Sequence, residues 1–184
     1  MKNDIRLFAA ARIPAIIKAQ LQELLLPFGH PSIRFLPEQN LHLTLYFIGN
    51  VPLTQLPHIQ QQVRQVAAQQ QSFILDLDCL EPGPQPKSPR LVWARFKPSH
   101  PFEQLSRQLT LALSQVPVRE QKTIPHITLV RFRKDMPKPN NLPPVYPEQP
   151  LQLAVDSVAL WQSELASPHP VYTVLENYPL GQNL

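Results

Sequence analysis

Apolar residues recur at helical spacing in three stretches of the chain, and seven shorter stretches are rich in β-branched and aromatic residues. From Pro14 to Leu26, Ile17, Leu21, Leu24 and Leu25 fall on one stripe behind a proline suited to a first helical turn. From Thr54 to Gln70, Leu56, Ile59, Val63 and Val66 do the same, with Thr54 as the expected N-cap. Pro101 to Val116 repeats the scheme with Phe102, Leu105, Leu109 and Ala112 inward and Ser99 as the cap. The spacing predicts strands near 5–11, 41–48, 73–80, 91–97, 123–132, 151–161 and 170–176, each rich in β-branched and aromatic residues and bounded by Pro, Asn or Ser. The expected class is α+β, with helices packed on a sheet. Glu81 to Pro89 and Met136 to Pro150 are proline-dense and read as ordered surface loops rather than linkers.

The order of elements repeats. A strand from Ile5, a helix from Pro14 and a strand at Leu41-His42-Leu43-Thr44-Leu45 are matched by a strand from Leu91, a helix from Pro101 and a strand at Pro125-His126-Ile127-Thr128-Leu129, at offsets of 86, 87 and 84 residues. Such agreement predicts two similar lobes related by a pseudo-twofold axis, each presenting one His-x-Thr strand.

A chain of 184 residues is expected to form one domain, 1–184, with a core large enough to need no disulfide or metal. Cys79 is the only cysteine, which excludes disulfide frameworks and multi-cysteine zinc sites and suits a reducing compartment, so the cytoplasm is expected. The apolar piece Leu7 to Ala11 is too short for a signal sequence or a membrane span. Four glycines, at 29, 49, 83 and 181, lie too far apart for a phosphate-cradling loop, which removes Rossmann and Walker-type nucleotide sites. Proline, at 23 residues, is more than twice as frequent as usual and implies many ordered loops. Residues 87–138 hold 11 Lys and Arg against 3 acids, while the rest holds 6 against 10. That asymmetry points to a polyanion or phosphate partner, or to a solvated basic face.

Six histidines and six threonines predict about 0.2 chance occurrences of His-x-Thr, yet two occur and both precede Leu. Strand alternation places His42, Thr44 and Tyr46 on one face and Leu41, Leu43, Leu45 and Phe47 on the other, which is the expected core face. His126 and Thr128 likewise face together, backed by Ile127 and Leu129. Two imidazoles related by a twofold suit phosphodiester chemistry: one neutral ring takes a proton from the attacking oxygen, and one protonated ring gives a proton to the leaving oxygen. The threonine hydroxyls suit the nonbridging oxygens, whose charge must be held while phosphorus is five-coordinate. Nothing in this arrangement requires a metal or a cofactor.

The motifs His42-Leu43-Thr44-Leu45 and His126-Ile127-Thr128-Leu129 resemble the two signature tetrads of the 2H phosphoesterases, and their surroundings are similar to the 2′-5′ RNA ligase family of bacterial RNA 2′,3′-cyclic phosphodiesterases. The likeness takes in Arg6-Leu7-Phe8, the run from Leu41 to Gly49, Val92-Trp93, Pro125 to Arg131 and Tyr172 to Leu180. It implies a bilobal fold of antiparallel sheet with outer helices and a central groove. The activity it implies is metal-free hydrolysis of an RNA 2′,3′-cyclic phosphate end to a 2′-phosphomonoester, together with reversible 2′-5′ ligation. In the same terms His42 is the proton donor, His126 the acceptor, and Thr44 and Thr128 the phosphate holders. Arg131 matches a recurrent basic residue, but its strand parity is opposite to that of His126, so it reaches the groove only if the strand bulges or ends there. Tyr46 shares the histidine face and is expected to stack on a base, whereas Phe47 is expected in the core.

His30, His58, His100 and His169 lack a partner motif and read as loop or helix-surface residues. Asp76 and Asp78 read as the wet face of a strand, and Trp93 and Trp161 as packing residues. The expected partner is RNA with a 2′,3′-cyclic phosphate end or a small cyclic nucleotide, with no membrane and no metal, and the protein is taken as a monomer. A noncatalytic RNA-binding module and a phosphodiesterase for a small cyclic nucleotide are the alternatives. Retention of both histidines and both threonines speaks against the pure binder.

Overall fold

A computed structural model describes residues 3–85, 88–114, 123–137 and 142–181. The described strands are β1 (Asp4–Arg12), β2 (Ile33–Phe35), β3 (His42–Pro52), β4 (Phe73–Gly83), β5 (Leu91–Phe96), β6 (His126–Phe132), β7 (Gln152–Val155), β8 (Ser157–Glu164) and β9 (Val171–Pro179). They form one curled, antiparallel sheet in the order β7-β4-β5-β6-β3-β1-β8-β9, with β2 paired to β6 off this path. The order is symmetric about its middle: β3 answers β6 and β1 answers β5, so the pseudo-twofold axis passes between β3 and β6, where Leu43 stands opposite Ile127. One residue, Asp156, separates β7 at one end of the sheet from β8 near the other. That short crossing holds the two ends together and curls the sheet into a half-barrel.

The helices α1 (Ala15–Leu24), α2 (Leu56–Ala68) and α3 (His100–Leu113) cover one face. Their buried residues, among them Ile17, Leu21, Ile59, Val63, Leu105 and Leu109, join Leu7, Ala9, Leu43 and Ile127 in the main core. On the opposite face a second, small cluster of Phe8, Ala10, Ala159 and Trp161 lies under the first tetrad, against His42. Among the described residues no helix is long and apolar enough to cross a membrane.

The Ser99 hydroxyl caps α3 by accepting from the Phe102 amide at 3.4 Å. Thr54 does not cap α2: it lies in a short 3₁₀ turn, Leu53–Gln55, and the helix starts after Gln55 with proline in its first turn. The expected end of α3 at Val116 lies outside the described residues, and within them the helix closes at Leu113. The strand expected over 151–161 is two strands that switch halves of the sheet at Asp156, and β2 is too short for its period to show. The stretch expected as a loop from Glu81 begins instead as the last three residues of β4, whose ladder to β5 runs through Gly83.

Candidate active site

Because Leu43 and Ile127 are directly opposed across an antiparallel pair and both point into the core, their neighbours share the other face. His42 therefore stands across from Thr128, and Thr44 across from His126. Pair spacing across strands and the rise along them put the two histidine backbones roughly 8 Å apart on the diagonal, a gap that two imidazoles can close around a phosphate. All four side chains are half-buried, and neither threonine hydroxyl has a hydrogen-bond partner among the described residues.

The two histidines are held alike. His42 Nδ1–H donates to the carbonyl of Asn40 and His126 Nδ1–H to that of Ile124, each at 2.7 Å. A carbonyl can only accept, so Nδ1 carries the proton in both rings and Nε2 is left without one. Each ring also packs on an aromatic side chain from the adjoining strand: His42 on Phe8 with centroids 4.8 Å apart, and His126 on Trp93 at 4.7 Å. Phe8 and Trp93 are 85 residues apart, the offset of the repeat. Beyond this the surroundings diverge. His42 also meets Trp161 and Tyr172, at 5.9 and 5.3 Å, whereas beside Trp93 stand Arg95 and Glu81, paired at 2.6 Å. Trp93 and Trp161 are packing residues as expected, and what they pack against are the histidines and their neighbours.

Each tetrad ends in a bulge, at Leu45 and Leu129, and the bulge decides what comes next. In β6, Trp93 faces Thr128 while Val92 faces Val130, which leaves Leu129 as an extra residue; Leu129 and Val130 are both buried, and Arg131 emerges on the histidine face. The bulge that Arg131 needs in order to reach the groove is there, and its guanidinium helps to lower the His42 pKa. In β3, Ala10 faces Thr44 while Ala9 faces Tyr46, so Leu45 is extra in the same way. Tyr46 consequently packs against the main core and does not share the histidine face. Phe47, expected in the core, is instead 50% exposed on the groove side with the Arg6 guanidinium 4.9 Å above its ring. The bulge carbonyls are satisfied: the Ser106 hydroxyl donates to Leu45 O at 2.7 Å and the Leu36 amide to Leu129 O at 2.9 Å.

Burial pushes the His42 pKa down to about 4, its hydrogen bond to Asn40 opposes this, and the positive charges of His126 and Arg131 add to the fall. His126 is lowered as well, by burial, against its own backbone hydrogen bond. Both rings are therefore neutral at neutral pH in the free protein, and an anion bound between them would favour an imidazolium. Among the described residues no three His, Cys, Asp or Glu side chains converge as a metal would require. Asp76 is exposed and binds Gln152, and Asp78 pairs with Arg95. His30, His58 and His100 lie on the surface, while His169 lines a cavity with Arg34, Arg131 and Tyr172. The aromatic wall of His42 and the cationic wall of that cavity lie beyond motif reasoning, because they are assembled from strands far apart in the chain.

Residues 14–166 match the model of the 2′-5′ RNA ligase superfamily. A Thermus thermophilus protein named RNA 2′,3′-cyclic phosphodiesterase is 31% identical over 96% of this chain and 90% of its own. One of the same name from Archaeoglobus fulgidus is 26% identical over 91% and 96%. Among solved structures, one of a Thermus thermophilus protein superposes with a TM-score of 0.80 at 30% identity over 96% of this chain and 98% of its own. E. coli LigT in complex with 3′-AMP does so with a TM-score of 0.77 at 29% identity over 97% and 99%. With the match running through both tetrads and the curled sheet that faces them together, the chain belongs to the 2′-5′ RNA ligase superfamily.

Proposed function

We propose that the protein hydrolyses RNA 2′,3′-cyclic phosphate ends to 2′-phosphomonoesters without a metal, His126 acting as base and His42 as acid. The observation that carries this is the diagonal pair of imidazoles, each with Nδ1–H tied to a backbone carbonyl and Nε2 left to react. Bound between them, the cyclic phosphate accepts hydrogen bonds from the Thr44 and Thr128 hydroxyls and lies within the field of Arg131. His126 Nε2 takes a proton from water as the water oxygen bonds to phosphorus, and His42 Nε2–H gives its proton to O3′ as the P–O3′ bond breaks. The product keeps phosphate on O2′. When the 5′-hydroxyl of a second RNA takes the place of water, the same steps form a 2′-5′ linkage. The uptake of 3′-AMP by E. coli LigT fits a substrate that ends in a ribonucleotide.

The experiment is to offer adenosine 2′,3′-cyclic phosphate with excess chelator and identify the product. Full turnover to the 2′-phosphate is expected. A 3′-phosphate would reverse the breaking bond, and activity lost to chelator and restored by a divalent ion would end the metal-free mechanism.

The pH profile follows from the two lowered histidines. Turnover needs one ring neutral and one protonated, and kcat/KM reports these states in the free enzyme. Because both titrate below the usual 6.5, the maximum of kcat/KM is expected below about pH 6.5. In the complex the anionic phosphate raises the pair, so the bell in kcat moves to higher pH; its limbs belong to the coupled pair. Profiles of kcat and kcat/KM over the same range check this, and a kcat/KM maximum on the alkaline side of neutrality would contradict it.

A further inference from the structure

Beside His42 opens a cavity of about 500 Å³ that shares Asn40 and Tyr172 with the catalytic face, a volume in the range of small-ligand sites. Its walls hold Arg34, Arg131, Arg133 and Lys134 against a single carboxylate, Asp135. In the β2–β6 ladder Arg34 stands directly opposite Arg131, where like charges repel. Among the described residues no carboxylate lies within ion-pair distance of any of the four cations. Arg34 donates to the Pro168 carbonyl at 3.2 Å, which holds it in the wall without neutralising it. An anion seated between these guanidiniums removes the repulsion and gains charge-assisted hydrogen bonds.

The chemistry of the tetrads says which anion. In an in-line displacement the attacking and leaving oxygens lie on opposite sides of phosphorus, so water approaches from His126 and O3′, with its ribose, lies towards His42. Whatever is attached to that ribose continues past His42, where the cavity begins. We infer that Arg34, Arg133 and Lys134 bind the phosphodiester backbone of the substrate RNA on the 5′ side of its cyclic end, which gives the strand one direction across the sheet: in over β2 and the end of β6, and ending at the tetrads. The inference rests on the hydrolysis proposed above and on His42 as the proton donor. Phe47, beneath the Arg6 guanidinium, is not among the residues that line this cavity.

The test compares adenosine 2′,3′-cyclic phosphate with a short RNA ending in the same group, over a range of salt. Arg133→Gln/Lys134→Gln, at two exposed positions, is read beside Arg34→Gln, with thermal melting as the folding control. In each variant the ratio of kcat/KM for RNA to that for the mononucleotide is expected to fall about tenfold. The log-log salt slope for RNA should weaken by about 0.7 for each phosphate the variant no longer neutralises. Wild-type protein that cleaves both substrates, with ratio and slope unmoved in the variants, overturns the subsite and leaves the phosphodiesterase standing. A ratio that falls in Arg6→Gln while the Arg34, Arg133 and Lys134 variants leave it unmoved puts the backbone contact outside the cavity and overturns the inference. Wild-type protein that cleaves neither substrate overturns the inference together with the proposed function.

Discussion

Replacing either histidine with alanine is expected to lower turnover of a 2′,3′-cyclic phosphate by about 10² to 10⁴. The double variant is expected to lose far less than the product of the two, because acid and base act on one transition state. The fold should survive both changes, since each ring lies on the groove face and its removal frees only one backbone carbonyl, that of Asn40 or Ile124. The two losses differ in a way that assigns the roles. With a phosphodiester whose leaving group is nitrophenolate, the departing oxygen needs no proton, so His42→Ala should regain most of its activity while His126→Ala should not. Single-turnover rates on both substrates make the comparison. Near wild-type turnover in either single variant removes that histidine from the chemistry, and recovery in His126→Ala alone exchanges acid and base.

Thr44→Val and Thr128→Val are each expected to lower kcat by up to about 10², the usual size of one donor to a developing oxyanion, while serine at either position keeps most of the activity. Val keeps the shape of the side chain and removes only the hydroxyl, and that hydroxyl holds no other described residue in place. The loss should therefore appear in kcat, with the melting temperature little changed. A fall in melting temperature with kcat intact would make the hydroxyls structural.

Legibility in the sequence stops at the bulges. The tetrads, their shared face and the pseudo-twofold repeat are readable because two strands and a helix recur at nearly constant offsets and strand alternation holds as far as Thr44 and Thr128. One residue later the period slips. Alternation puts Tyr46 on the groove and Phe47 in the core, and the extra residue Leu45 exchanges them. The same slip at Leu129 carries Arg131 onto the face it needs. A signal exists: Leu45 to Ile48 and Leu129-Val130 are unbroken apolar runs, which an alternating strand does not supply. The cavity wall offers none. Arg34 meets Arg131 across 97 positions through a three-residue strand, and no local period reports such a pairing.

The position of β1 inside the sheet has a consequence for how the chain is made. Of the described strands β1 leaves the ribosome first, but its outer edge is paired only by β8, with Leu7 opposite Gln162. Until residue 164 or so has emerged, that edge presents unpaired amides and carbonyls, an open template for pairing with other chains. Contacts of such long sequence separation also place the domain among slow folders, so the open interval is lengthened further. The two halves of the site then mature at different times: Trp93 can support His126 once β5 and β6 have paired, whereas His42 gains Trp161 and Tyr172 only from β8 and β9, the last of the described strands. A nascent chain stalled before β8 would carry both signature tetrads, but with His42 lacking its Trp161 and Tyr172 neighbours, so the site would be completed late in its biogenesis.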